Sequence, residues 1–329
     1  MALDALSDVN PEAVTGTNGS QEVGGIFDRL ASIWKPGDGC PFCDRPWGQR
    51  VRRSKEHVLP QWLRKHTPGL PAGSTTHATG LGLSLDGRAY EPVEPITIHR
   101  KATVLTTFTR SVCETCNNGW MSALETAAEP VFMSLVAASQ HPPAVAMDRD
   151  RATILARWAH KTALTHELAN QRNSHAPRRI IHPALASILR EPGLPVQDAA
   201  VWAARLPTDN GVAVYQAVCA IGATPEPAQD EDLRLTLSTC IVYRRLALLA
   251  MVPGLPPPGY HPLPLAHSLP ESAWTPIWPY PGTTIRAAYP PAQATLPNDL
   301  TSAMVAQVPP SAVEGIRLHR QRPRVIHRN

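Results

Sequence analysis

The sequence predicts an α+β protein: a cysteine-bracketed module of short strands and one helix, followed by a helical plus antiparallel-sheet C-terminal domain. Three observations carry this expectation. Two CxxC pairs, Cys40/Cys43 in "CPFC" and Cys113/Cys116 in "CETC", enclose a segment of mixed strand and loop character. Two runs of helical periodicity follow the second pair. Beyond them come four short β-leaning runs separated by turn residues. With 329 residues, 43% of them hydrophobic, the chain can bury a substantial core, and a length prior of about 150 residues per domain suggests two units. The 35 prolines favour short elements joined by stiff connections and argue against long coiled coils.

Residues 1–34 ("VTGTNGSQEVGG" and its flanks) are small and polar, and predict a mobile lead-in in which Ile26, Leu30 and Ile33 suit a short docking helix. The cysteine-bracketed module is expected over 35–130. Inside it, "TPGLPAGSTTHATGLGLSLDGRAYEP" reads as a loop-like insertion. The second CxxC sits where a strand gives way to a helix: Trp120, Leu124 and Ala127 recur at helical spacing, and Pro130 is where that helix should end or kink. An accessory α+β domain is expected over 131–290. It starts with the helix "DRDRATILARWAHKTALTHELAN", whose Ile154, Leu155, Trp158, Leu164 and Leu168 fall roughly on one side. The runs "AAVWAARLP", "GVAVYQAVCAIGA", "LRLTLSTCIVYR" and "LALLAMVP" then read as an antiparallel meander. Residues 291–329 form a Pro-containing basic tail, with Arg317, Arg320, Arg322, Arg324 and Arg328. An extended strap, a disordered tail and a nucleic-acid contact all suit it.

The N-terminus lacks a basic-then-apolar signal pattern, and no stretch approaches the ~18 apolar residues of a membrane span. A cytoplasmic protein with no membrane partner is expected. In such a chain, paired CxxC motifs hold metal or do redox work more often than they form disulfides. Four thiolates suit one tetrahedral structural Zn²⁺ with no position left for substrate. Cys219 and Cys240 read as ordinary core thiols.

Between Asp44 and Lys65 the chain carries seven basic side chains against two acidic ones, a cluster able to meet phosphates or simply to face solvent. Within it lies "KEHVLP", where Glu56 and His57 should leave a strand side by side. Asn117 directly follows the second CxxC at the helix start, where an Asn also serves as an ordinary N-cap. His160, His166 and Glu167 on the next helix are spaced off one face and do not form an HExxH-type site.

Taken together, CPFC, then "EHVLP", then "CETCN" resembles the HNH endonucleases, the ββα-metal nucleases, and within them the zinc-knuckle branch with a Glu-His-aliphatic-aliphatic-Pro step and a "CNxxW" helix start. The resemblance covers roughly residues 36–126. It implies a ββα-metal fold and a metal-dependent hydrolysis of DNA phosphodiester bonds. By that resemblance His57 is the general base, Glu56 and Asn117 ligate a catalytic Mg²⁺ or Mn²⁺, and Asn118 is the reserve ligand if the helix register differs by one. Cys40, Cys43, Cys113 and Cys116 then hold the structural zinc, and Arg53, Lys55 and Arg110 contact the phosphates of a DNA partner. A homodimer is compatible with this reading.

The chain departs from the family pattern where a middle Asn normally braces the histidine. Thr106, Thr107, Phe108 and Thr109 stand there, so a Thr hydroxyl takes over or His57 is less firmly oriented. The alternative is a non-catalytic, zinc-stabilised nucleic-acid binding module in which Glu56 and His57 are structural. A ribonuclease reading is weaker, because "WTPIWPYP" is too Pro-rich for a base-stacking platform, and Trp274 and Trp278 read as a packing seam.

Overall fold

The computed structural model describes residues 39–68, 77–78, 103–140, 145–170, 186, 188–191, 195, 199–222, 233–253, 274–280 and 282. The lead-in with its docking helix, most of the expected insertion, and the basic tail lie outside the described residues. In chain order come β1 (Arg53–His57), α1 (Trp62–Lys65), β2 (His77–Ala78), a 3-10 turn (Val104–Thr106) and β3 (Phe108–Cys113). These lead into α2 (Glu114–Cys116), a π-type turn (Asn117–Met121), α3 (Ser122–Gln140) and α4 (Arg149–Asn170). The rest is sheet: β4 (Ala200–Arg205), β5 (Val212–Gly222), β6 (Leu233–Tyr243), β7 (Leu246–Pro253) and β8 (Thr275–Trp278). The protein is therefore a mixed structure of helices and largely antiparallel sheet.

β1 and β3 pair antiparallel, with Arg53 opposite Cys113 and His57 opposite Phe108. The register slips between Ser54↔Val112 and Glu56↔Thr109, which puts an extra residue into β3. This bulge is satisfied locally: the Ser111 amide donates to Thr109 Oγ1 at 3.1 Å. Past His57 the Val58 amide still bonds Thr107 O at 3.0 Å. Pro60 then ends the extended run, and α1 buries Trp62 and Leu63.

The six-stranded sheet has the order β2-β5-β6-β7-β4-β8. β5, β6 and β7 form the expected meander, but β4 pairs with β7 rather than with β5. The "TDNG" segment therefore carries the chain across the β6–β7 turn, where Leu206 N and Asn210 N bond Arg245 O and Arg244 O. His77–Ala78, within the expected insertion, adds a short parallel strand beside β5.

Two sequence expectations are corrected here. Of the end or kink expected at Pro130, the end does not occur: α3 runs through Pro130 to Gln140. An interior Pro costs about 3 kcal/mol, yet Pro130 and Thr126, whose carbonyl loses its partner, are both exposed. The stripe Leu124, Ala128, Val131, Phe132, Leu135 and Val136 is buried, and full burial of even two such large side chains, at about 1.5–3 kcal/mol each, offsets the cost. α3 thus continues as one helix past Pro130.

Nor is α4 one-sided: from Leu155 to Ala169 every residue but Arg157 is buried. Phe42, Val112 and Met121 share one apolar cluster with Leu164, Trp202 and Val252. Val58, Leu59 and Trp62 share another with Phe132, Trp158 and Leu248. α4 is the spine between hairpin and sheet, so its polar residues must be satisfied inside the protein. Trp62, Phe132 and Trp158 meet at ring-centroid distances of 5.0 to 6.2 Å, and Tyr243 Oη ties the sheet to α1 by donating to His66 O at 2.9 Å.

His160, at 0% exposure, has a stability consequence. Burial pushes its imidazole down to about 3, with weak opposition from the Ala200 backbone, whereas in the unfolded chain it titrates near 6.5. The neutral form is favoured on folding, so its contribution is complete above about pH 6.5 and is lost as pH falls toward about 3, by about 1.4 kcal/mol per pH unit. Denaturant unfolding followed from about pH 7 to about pH 4 is expected to show a flatter decline for His160→Leu than for the native chain.

Candidate functional site

The two CxxC pairs meet. Cys40 and Cys43 lie in a tight knuckle in which Cys43 N and Asp44 N bond Cys40 O at 3.3 and 2.8 Å, and Cys40 N bonds Arg45 O at 3.0 Å. Asp44 takes a left-handed conformation (φ 54°). Gly39 is required beside it, because a Cβ there would stand 2.5 Å from Arg45 O. Cys113 ends β3 and caps the following turn, its Sγ accepting from Cys116 N at 3.4 Å, while Cys113 N donates to Cys40 Sγ at 3.4 Å.

All four sulfurs lie within 4.8 Å of one another, and Cys43 Sγ is 3.8 Å from Cys113 Sγ. A disulfide needs about 2.05 Å, whereas a tetrahedron with Zn–S of about 2.3 Å has edges of about 3.8 Å. The cluster can therefore hold a metal ion such as zinc. Its electrostatics suit a cation. The Cys116 thiol, donating to Cys40, helps pull Cys40 down to about 5, while burial pushes Cys43 up to about 11 and the bond to Cys40 pushes Cys116 up. The Cys40 proton leaves readily while those of Cys43 and Cys116 are held, and a bound dication would favour their loss as well.

Asn117 begins the π-type turn that follows the second knuckle, a local irregularity of a kind frequent at functional sites. Its Nδ2 donates to Ser54 Oγ and, at 3.2 Å, to Lys55 O. Asn117 is thus docked on β1, the strand that carries Glu56 and His57, about 7 Å along the strand from His57. Asn118 is exposed on the same turn.

His57 is half-buried and its ring tilts against Phe108 at 6.1 Å. Burial lowers its pKa from the ordinary value, Arg64, Lys161 and Lys55 add to this, and Glu125 opposes it. The hydroxyls of Thr106, Thr107 and Thr109 are engaged elsewhere and do not brace the ring. Thr106 and Thr107 both donate to Thr103 O at 3.0 Å, and Thr109 to Leu168 O at 3.4 Å. The side chain beside His57 Nδ1 is the amide of Gln61, at 3.4 Å. Sequence reasoning missed Gln61, although its place four residues on, just past Pro60, was a usable signal.

Glu56 faces inward at 4% exposure, and its carboxylate contacts the Lys161 ammonium, which also bonds Glu125 Oε1 at 2.6 Å. Burial raises the Glu56 pKa and Lys161 opposes this; for Lys161 burial pulls downward, but the two carboxylates together win and push it up. Glu56 is therefore held by an internal cation and not turned toward the surface with His57. Lys161 and Glu125 carried no sequence signal.

Arg53, Lys55 and Arg110 are all exposed on the hairpin. The Arg53 guanidinium lies 4.4 Å from the centroid of the Trp47 ring and Lys55 Nζ 5.5 Å from that of Phe108, cation–aromatic pairs that hold these charges outward. Arg64 instead donates to Leu105 O at 3.1 and 2.7 Å. His160, His166 and Glu167 are buried in α4 and form no metal cluster; among the described residues the cysteine group is the one found. No helix among the described residues is long and apolar enough to cross a membrane. Trp274 is buried and Trp278 half-buried against the core.

Comparison with protein-family models, curated proteins and solved structures found no match to this chain.

The clamp is directly testable. Metal analysis of the purified chain is expected to give one zinc per molecule. Co²⁺ exchange should bring thiolate charge-transfer absorption, and Cys113→Ser should abolish that absorption and lower the melting temperature. Chelation should destabilise by several kcal/mol, less than the ~10–16 kcal/mol of peptides that fold on zinc alone, because the apolar clusters persist.

Proposed function

We propose that this chain is a DNA endonuclease of the HNH type, with a ββα-metal module made by β1, β3 and the helix entered at Asn117, and a structural zinc on Cys40, Cys43, Cys113 and Cys116. The observation that carries this reading is the docking of the Asn117 amide, which follows the four-thiol cluster, on Ser54 and Lys55 of β1, the strand that ends in His57. Two side chains far apart in sequence are thereby tied to one short strand, in the order the resemblance asks for.

His57 is the general base. Its lowered pKa keeps the imidazole neutral at physiological pH, ready to take a proton from water attacking a phosphodiester. Amide nitrogen and oxygen are interchanged by a flip; with Gln61 Oε1 accepting from Nδ1–H, the lone pair lies on Nε2, the tautomer a base needs. Gln61 thus supplies the orienting contact that the missing Asn would have made. Arg53, Lys55 and Arg110 hold the duplex by its phosphates, each contact steepening the salt dependence by about 0.9.

The resemblance also implies a catalytic Mg²⁺ or Mn²⁺, which when bound stabilises charge on the phosphate and the leaving oxygen. Asn117 suits it, since its nitrogen is spent on β1 and a hard amide oxygen remains. Glu56 does not suit it, being buried against Lys161, and no step here runs through the ion.

The inward turn of Glu56 favours a second reading, the non-catalytic zinc-stabilised nucleic-acid binding module. Incubation of supercoiled plasmid with Mg²⁺ or Mn²⁺ separates the two. The nuclease reading expects nicking that His57→Ala reduces by about 10²–10⁴-fold and Gln61→Ala by less, with unchanged DNA affinity. DNA binding without nicking by either native chain or variant supports the binding module. Because the His57 pKa is lowered and the base must be unprotonated, the nicking rate should rise with pH through a midpoint below the ordinary histidine value of about 6.5.

A further inference from the structure

Lys161 stands in the middle of α4 at 0% exposure. Its Nζ meets two carboxylates from different elements, Glu56 on β1 in direct contact and Glu125 on α3 at 2.6 Å. α3 is the helix that continues from the Asn117 turn. The two elements that an HNH-type reading asks to share a divalent ion therefore already share a cation, carried by the chain itself. A primary ammonium has three donors and one charge; the two carboxylates take two of the donors and more than balance the charge. Mg²⁺ or Mn²⁺ in the same place would need about six hard oxygens, several of them water. With Glu56 at 4% exposure and touching the ammonium, no space remains between them for a hydrated ion.

We propose that Lys161 is the cation Glu56 serves, a built-in charge that replaces the divalent ion at the Glu56 arm of the site. Any Mg²⁺ or Mn²⁺ used in the reaction proposed above is held from the Asn117 arm without Glu56. The inference rests on that reading for its catalytic setting, but its content is a statement about cation binding. Lys161 is a positioning residue: it reaches no substrate, and it fixes the strand end from which His57 projects and the helix that leads back to Asn117. The site consequently draws one of its determinants from α4, outside the cysteine-bracketed segment.

The test is Mn²⁺ binding to the full-length, zinc-loaded chain, read from the electron paramagnetic resonance signal of free Mn²⁺, in the native protein, Glu56→Gln, Lys161→Met and Lys161→Met/Glu56→Gln. The proposal expects native chain and Glu56→Gln to bind Mn²⁺ alike, within about twofold. Lys161→Met exposes two unpaired carboxylates to each other and is expected to gain a site at least about tenfold tighter, which the double variant loses. A Glu56→Gln that weakens native Mn²⁺ binding by about tenfold or more would overturn the proposal, as would a folded Lys161→Met that gains no site. Circular dichroism checks folding, and Lys161→Gln replaces the Met variant if that chain does not fold. If the native chain binds no Mn²⁺, the gain in the Lys161 variant decides. Absence of plasmid nicking by the native chain would sink the nuclease reading and leave this measurement intact.

Discussion

The buried ammonium of Lys161 ties the structure together. A lone ammonium taken from water into the interior costs several kcal/mol even after relaxation, and α4 is covered on all sides at that level, so the charge survives only with Glu56 and Glu125 in contact. Each carboxylate comes from a different element, so satisfying one charge fixes the relative positions of β1, α3 and α4. Removing one partner of such a group typically costs about 3–5 kcal/mol, comparable to a large share of the stability of a whole domain. The apolar clusters on either side give the bulk of the stabilisation but tolerate sliding; the ion triad does not.

The thiol cluster sets a second constraint at the other end of the hairpin. Backbone amides of Cys113 and Cys116 point at the sulfurs of Cys40 and Cys113, so the knuckle, the end of β3 and the helix start are bound into one unit. Asn117 follows directly from this unit and reaches back to Ser54 and Lys55. His57 is therefore held from three directions: by the strand pairing opposite Phe108, by Val58 bonded to Thr107 O, and by Gln61 beyond Pro60. A half-buried imidazole whose pKa is lowered by burial and by nearby cations, beside an exposed basic hairpin face, is the arrangement on which the proposed hydrolytic reading rests.

Parts of the site were legible because their chemistry is local. CxxC is a chelating spacing whatever surrounds it, and the thiol cluster forms as that spacing requires. The β-rich runs after residue 200 follow from alternation and β-branched content, which act over a few residues. The partner of Glu56 was not legible in this way. A carboxylate before a histidine reads the same whether it faces a solvent-borne ion or a lysine from a helix beyond residue 149, because pairing depends on which helix the hairpin packs against. The brace of His57 was sought among Thr106, Thr107 and Thr109, but the first two close their own turn and the third bonds α4.

By itself the sequence determined the mixed helix and antiparallel-sheet character and the four-thiol cluster. Only the tertiary structure decided that α3 passes through Pro130, that β4 lies beside β7, that α4 is enclosed on every side, and that Glu56 spends its charge on Lys161. The division has one physical reason. Spacing and periodicity encode interactions within a turn or a strand, whereas the cost of burying a charge or interrupting a helix is set by what the remainder of the chain brings against it.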